Sequence, residues 1–352
     1  MDKINVLIAS GTDLQPTYLQ KIRAVDPRFS INIGIKQLIK ELREKDGKLT
    51  LANRLEDETK AWVDLLPADE QEDMDSLLAH ANVVFVRMAL PNNLLSRAPD
   101  LKWIHIQGAG LDSYASTGIF EGNVMITNGR GTMAVSMAEH ALAFIFTFAK
   151  NIPRLISNKQ SKSWDRFLNL AVEEQTTGII GLGAIGSQVA RLAKGAGMRV
   201  LAMDKLVTRR EKNVSGVDEV FTPDELYEML SECDFVVIST VLTPETTGLI
   251  GEKELKAMKP TAYLINIARG KIVDETALIR VLKEGRIAGA GLDVFQTEPL
   301  PPESELWEVP NLILSSHMSS FTRISGDREI ELFCENMRRF LAGEQLLNVV
   351  HQ

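Results

Sequence analysis

The chain has 352 residues, 45% of them apolar and 24% charged, with a formal net charge of −8. That length favours two domains of ordinary globular composition, and the acidic balance argues against a nucleic-acid partner, because gripping phosphate needs a basic surface. Two cysteines, Cys233 and Cys334, far apart and outside any CxxC or Cys/His pattern, exclude a disulfide framework and a zinc site, so no metal is expected.

The chain opens on a short apolar run, 4–9, that reads as a first strand and not as a signal peptide. Further strand-like runs stand at 83–86, 103–106 and 124–127, with amphipathic helices expected at 37–45 and 56–65. A long apolar-periodic segment, 134–152, is expected as one helix ending before Pro153. The longest apolar stretch, 141–149, is about half of a membrane span, so no membrane contact and a cytoplasmic, reducing location are expected.

A second alternating series follows. Strands are predicted at 178–181, 199–203, 235–239, 262–267, 288–293 and 312–315, with helices at 186–195, 223–230, 252–258 and 275–284. Apolar strands alternating with helices mean a parallel sheet covered on both faces. A last helix, 323–341, needs a partner surface, and the polar segment 158–177 is the expected join between the two blocks.

The strongest local signal is Gly181-Leu182-Gly183-Ala184-Ile185-Gly186, directly after the apolar Ile179-Ile180 and before a helix. Gly181 permits the tight turn, Gly183 lets the backbone approach a pyrophosphate, and Gly186 lets the helix pack on the strand. The pyrophosphate then sits on the helix N-terminus, near Ala184 and Ile185. Asp204, beyond the next strand, stands where a carboxylate takes the adenosine ribose hydroxyls; it favours NAD, while Lys205, Arg209 and Arg210 keep NADP open.

Downstream stand Thr243-Pro244-Glu245-Thr246-Thr247-Gly248, Asn266-Ile267-Ala268-Arg269-Gly270, Gly291-Leu292-Asp293-Val294-Phe295-Gln296-Thr297-Glu298-Pro299 and Ser316-His317. This ordered set, from about residue 83 to the C-terminus, resembles the D-isomer-specific 2-hydroxyacid dehydrogenases. The resemblance implies an α/β fold of two Rossmann-like domains. A central coenzyme domain with a doubly wound parallel sheet, 130–317, is inserted in a flavodoxin-like split catalytic domain, 1–129 and 318–352. It also implies a homodimer joined through the coenzyme domains.

Reducing a 2-keto acid needs a cation for the carboxylate and carbonyl, an acid for the developing alkoxide, and a group that keeps that acid charged. Arg269 ends an apolar strand, at the edge where open α/β sheets bind ligands, and a guanidinium grips a carboxylate with two parallel bonds. His317 follows another strand, and histidine trades protons near neutral pH. The resemblance makes Arg269 the substrate arginine, His317 the general acid/base and Glu298 the carboxylate that favours its imidazolium. Reduction is then expected to weaken as pH rises, and oxidation to strengthen.

By the same resemblance, Thr240, Val241 and Thr246 belong to the coenzyme loop, Ile267, Ala268, Arg269 and His317 line the coenzyme crevice, and Asp293 lies near the nicotinamide carboxamide. Gly108, Ala109 and Gly110 resemble a loop whose backbone N–H groups take the substrate carboxylate, where small residues let the backbone approach. Arg87 and Met88 end the preceding strand and face the substrate side. Glu139 and His140 read as structural residues.

The chain departs from the family pattern in Met318-Ser319-Ser320 after the histidine, in 173–177 before the fingerprint strand, and in a longer stretch over 36–69. Two alternatives accompany the dehydrogenase reading. One is a relative acting on phosphite or another substrate that is not a keto acid. The other is an NAD-sensing, corepressor-like binding protein.

Overall fold

Short runs of apolar, largely β-branched residues build the first sheet: β1 (Ile4–Ser10), β2 (Phe29–Ile33), β3 (Val83–Arg87), β4 (Trp103–Ile106) and β5 (Met125–Asn128). All pair in parallel in the order β2-β1-β3-β4-β5, the flavodoxin order. Residues 83–86 are buried without alternation, as a sheet covered on both faces requires. The structure is a computed structural model that describes residues 3–10, 16–44, 51–53, 55–56, 59, 73–214 and 216–350.

Two compact units divide the chain, Met1–Met133 with Thr322–Gln352, and Ala134–Phe321. In the first, helices α1 (Pro16–Arg23), α2 (Ile35–Glu44), α3 (Met74–Ala79) and α4 (Leu94–Arg97) are joined by α11 (Arg323–Ala342) from the far end of the sequence. Ile330, Phe333 and Met337 of α11 share a core with Phe85 and Trp103, the Phe333 ring standing 4.5 Å from Phe85. Inside that core His105 lies with Nε2 3.2 Å from Glu329, whose other oxygen accepts the Thr132 hydroxyl at 2.7 Å.

The second unit holds β6 (Thr176–Ile180), β7 (Arg199–Met203), β8 (Glu211–Val214), β9 (Val217–Phe221), β10 (Phe235–Ile238), β11 (Tyr263–Asn266), β12 (Gly289–Leu292) and β13 (Leu312–Leu314). Their order is β13-β12-β11-β10-β6-β7-β9-β8, parallel except for β8. The order reverses between β6 and β10, which opens a crevice at their C-terminal ends. Side chains alternate with the strand period of two. Ile179, Ala202, Val237 and Ile265 meet α5 (Ala134–Ala149) and α7 (Ala184–Gly195) on one face. Ile180, Leu201, Val236 and Leu264 meet α8 (Leu226–Glu232), α9 (Glu252–Ala257) and α10 (Glu275–Lys283) on the other.

Several expectations need correction. The helix predicted over 134–152 is two helices: α5 stops at Ala149, Asn151 takes a left-handed conformation at φ 51°, and α6 (Ile152–Ser161) begins with Pro153 in its first turn, where no N–H is needed. The segment 158–177 is no join. It lies within the second unit, because α5 buries Ala138, Ala141 and Ile145 in the same core as Val189 and Ala193 of α7. The fingerprint helix starts at Ala184, two residues early, with Gly183 extended as its cap. The hairpin β8–β9, α1 and β2 were not expected. The helix predicted over 56–65 falls almost wholly outside the described residues.

Candidate active site

The glycine turn closes β6. Gly181 adopts φ 93° and its N–H donates to the Met203 carbonyl at 2.8 Å. A Cβ on Gly186 would stand 2.1 Å from the Gly181 carbonyl oxygen, so only glycine lets α7 sit on the turn. Gly183 differs: nothing lies within 4 Å of the place its Cβ would take. The first turn of α7 has no side-chain cap, which leaves the N–H groups of its opening residues, Ala184 and Ile185 among them, for an anion. An open glycine against uncapped N–H groups fits a dinucleotide pyrophosphate.

Asp204 follows β7 and bridges the turn. One carboxylate oxygen accepts the Leu182 N–H at 2.7 Å and the other the Leu206 N–H at 2.9 Å. Of the nearby cations, Arg210 is committed elsewhere. It lies over the Phe221 ring at 4.0 Å and bonds Glu228 at 2.5 Å and Glu219 at 2.6 Å, and its bond to Glu219 holds that carboxyl below its ordinary pKa. Arg209 bonds Glu211 at 3.1 Å, and Lys205 is exposed. Beyond β10, Thr240 packs against Gly181, and Thr246 staples its loop by accepting the Thr243 N–H and donating to the Val241 carbonyl, both at 2.7 Å. Val241 itself is exposed.

Arg269 follows β11 in a turn built by the buried Asn266. Its carboxamide accepts the Ala268 N–H at 3.0 Å and donates to the Arg269 carbonyl at 2.9 Å. Ile267 and Ala268 are buried beside it. A Cβ on Gly270 would fall 1.9 Å from the Phe295 carbonyl carbon, so glycine here lets the loop carrying Glu298 cross the Arg269 turn. One Glu298 oxygen accepts the Phe295 N–H at 3.0 Å and the other lies 2.7 Å from His317 Nδ1. Glu275, beneath the same loop, accepts the Gln296 N–H; burial, and then the Glu298 charge, push its carboxyl above the usual range. His317 sits at φ 52°, its N–H donating to the Asp293 carbonyl at 2.7 Å.

In the first unit, Arg87 ends β3 with Met88 just beyond it, and Gly108, Ala109 and Gly110 follow β4, all at the C-terminal edge of that sheet. Met88 and Gly108 hold positive φ, 69° and 86°, and the Gly108 carbonyl accepts the Gly129 N–H at 2.8 Å. Tyr114, missed in the sequence, buries its phenol against the Met88 backbone, and burial raises its pKa. Asn266 stands in the motif quoted above without a role, although a carboxamide that closes a strand is a turn signal. Among the described residues no cluster of three metal-ligating side chains occurs, and no helix is long and apolar enough to cross a membrane.

A doubly wound sheet with a glycine turn at its switch point and a carboxylate after the second strand defines a dinucleotide-binding domain. Residues 142–319 match the family model "D-isomer specific 2-hydroxyacid dehydrogenase, NAD binding domain". The glyoxylate reductase of Thermococcus gammatolerans is 38% identical over 285 residues, 78% of this chain and 82% of the relative. That of Korarchaeum cryptofilum is 37% identical over 261 residues, 72% and 77% of the two chains. A D-isomer-specific 2-hydroxyacid dehydrogenase family protein of Aeromonas salmonicida superposes with a TM-score of 0.80 at 26% identity, over 99% of each chain. The chain therefore belongs to the D-isomer-specific 2-hydroxyacid dehydrogenase family. It is an oxidoreductase of the CH–OH class with two Rossmann-like domains.

Proposed function

We propose that the protein reduces a small 2-keto acid of the glyoxylate type to the 2-hydroxy acid with NADH, and runs the reverse reaction with NAD. The observation that carries this is the 2.7 Å pair of Glu298 with His317 Nδ1. That bond directs the Nδ1 proton to the carboxylate and leaves Nε2 as the atom that trades protons. A nicotinamide held in the crevice by Ile267, Ala268 and Asp293 would supply or accept the hydride at the substrate C2. His317 Nε2–H gives its proton to the developing alkoxide in reduction and takes it back in oxidation. Arg269 grips the carboxylate and draws charge onto the carbonyl oxygen. The Gly108–Ala109–Gly110 backbone is assigned to the carboxylate as well, with Arg87 and Met88 toward the substrate side chain. The names of the glyoxylate reductases point to the substrate class.

Gly181, Gly183, Ala184, Ile185 and Gly186 are assigned to the pyrophosphate, Asp204 to the adenosine ribose, and Thr240, Val241, Thr246, Ile267, Ala268 and Asp293 to the rest of the coenzyme. Asp204 favours NAD: its negative charge opposes a 2′-phosphate, and Arg210 is fixed between Glu219 and Glu228. A related Xanthobacter autotrophicus structure, 27% identical with a TM-score of 0.76, is a complex with NADPH, so the preference is tested directly. NADH and NADPH binding, followed by nicotinamide fluorescence, is expected to favour NADH by at least about tenfold. Equal or tighter NADPH binding would remove the assignment.

A homodimer through the coenzyme unit is part of the proposal. No residue of α6 is buried, and Leu155, Ile156, Trp164 and Leu168 are exposed in succession, Trp164 at 95% and Leu168 at 100%. An apolar strip of that kind calls for a partner surface. Ile156→Asp is expected to give a monomer in sedimentation, and an unchanged mass would count against this interface.

A further inference from the structure

His140 is half-buried on α5 and edge-on to Phe144, the ring centroids 4.9 Å apart at 88°. Phe144 fits against β12 because position 291 is glycine; a Cβ there would stand 2.8 Å from the ring. So held, His140 Nε2 lies 2.9 Å from Ser315 Oγ, which lies 2.6 Å from Asp293 Oδ1. Asp293 is fully buried and takes two more donors, the N–H of Met318 on Oδ1 and of Ser319 on Oδ2, each at 2.9 Å.

The direction of these bonds follows from their chemistry. A carboxylate only accepts, so Ser315 donates to Asp293, and the Ser315 oxygen accepts the Nε2–H of His140. Among the described residues the hydrogen-bond donors on the Asp293 carboxylate belong to residues 315–319, with His140 Nε2 itself 3.8 Å from Oδ1, and the Asp293 carbonyl holds the His317 N–H. His317 stands in the middle of that loop at φ 52°, a conformation that non-glycine residues keep only when their surroundings impose it.

We infer that His140 and Ser315 are positioning residues for His317: through Asp293 they hold the loop in the one backbone conformation that presents the imidazole to Glu298. The inference rests on the reading of His317 as acid/base. It gives the Asp293 carboxylate a task on the loop, and it gives His140 a role without contact to substrate. Loosening these bonds lowers the fraction of enzyme with Nε2 in place and leaves Arg269 and the glycine turn as they are, so the loss falls in kcat more than in KM.

The test compares Ser315→Ala, His140→Ala, His140→Gln and the Ser315→Ala/His140→Ala double variant with the wild type and His317→Ala. Readouts are steady-state kinetics with NADH and glyoxylate, NADH affinity, and the proton resonance of the His317 Nδ1–H, identified by its loss in His317→Ala. Ser315→Ala and His140→Ala are each expected to lose about tenfold in kcat, with KM and NADH affinity within about twofold of wild type. His140→Gln keeps an N–H donor and is expected to recover most of that loss. The double variant should lose less than the product of the two single losses, because His140 reaches Asp293 chiefly through Ser315, its own Nε2 standing 3.8 Å from Oδ1. The Nδ1–H resonance should shift or broaden in both alanine variants. Wild-type kcat with an unmoved resonance would overturn the inference, as would multiplicative losses in the double variant or a loss confined to NADH affinity. If the wild type turns over no keto acid, the functional reading fails, and the resonance still decides whether the chain positions His317.

Discussion

Glu298 holds its own loop with one oxygen and His317 with the other, at 3.0 Å to the Phe295 N–H and 2.7 Å to Nδ1. Glutamine cannot serve both donors, since one of its two terminal atoms is itself a donor. Glu298→Gln is therefore expected to lower kcat about 10²-fold, with the melting temperature near wild type. Steady-state kinetics and thermal melts of the variant check this. Unchanged kcat would mean that the pair is only structural.

The two helix-side glycines of the fingerprint separate folding from coenzyme binding. Gly183 has open space where a Cβ would go, whereas Gly186 faces the Gly181 carbonyl at 2.1 Å. Gly183→Ala is expected to keep the wild-type melting temperature and to weaken NADH binding, since the added methyl meets only the pyrophosphate. Gly186→Ala is expected to destabilise the unit by about 1–3 kcal/mol, the scale of an overpacked contact. Thermal melts with and without NADH distinguish the two.

Glu275 offers a pH-linked prediction. Burial, and then the charge on Glu298, raise its folded-state pKa above the ordinary 4.5. Between 4.5 and the raised value the folded state binds more protons than the unfolded one, so stability falls as pH rises through that window. Glu275→Gln can still accept the Gln296 N–H and removes the titration. Its melting temperature relative to wild type should therefore climb as pH rises from 4 toward neutral. A flat or falling difference would contradict the account.

How much was legible in the sequence follows from where each feature gets its stability. The Gly181–Gly186 turn could be read because its backbone geometry, φ 93° at Gly181 and the close approach at Gly186, admits no other residue. The apolar strands of both sheets could be read because burial on two faces removes polar residues from them. By contrast, β2 is held by pairing Phe29 with Ile4, and the β8–β9 hairpin by partners that short, half-polar runs do not announce. The break at Asn151 was hidden because the apolar period runs on to Ile152 while one residue turns left-handed. His140 and Ser315 lie 175 residues apart, so their bond exists only in the fold.

The most direct test of the central claim follows NADH absorbance with purified protein and glyoxylate, hydroxypyruvate, pyruvate and 3-phosphohydroxypyruvate, with His317→Ala beside it. The account predicts NADH consumption with at least one of the small keto acids, falling about 10²–10⁴-fold in the variant. NADH binding without turnover of any of them, or turnover that His317→Ala leaves intact, would contradict it.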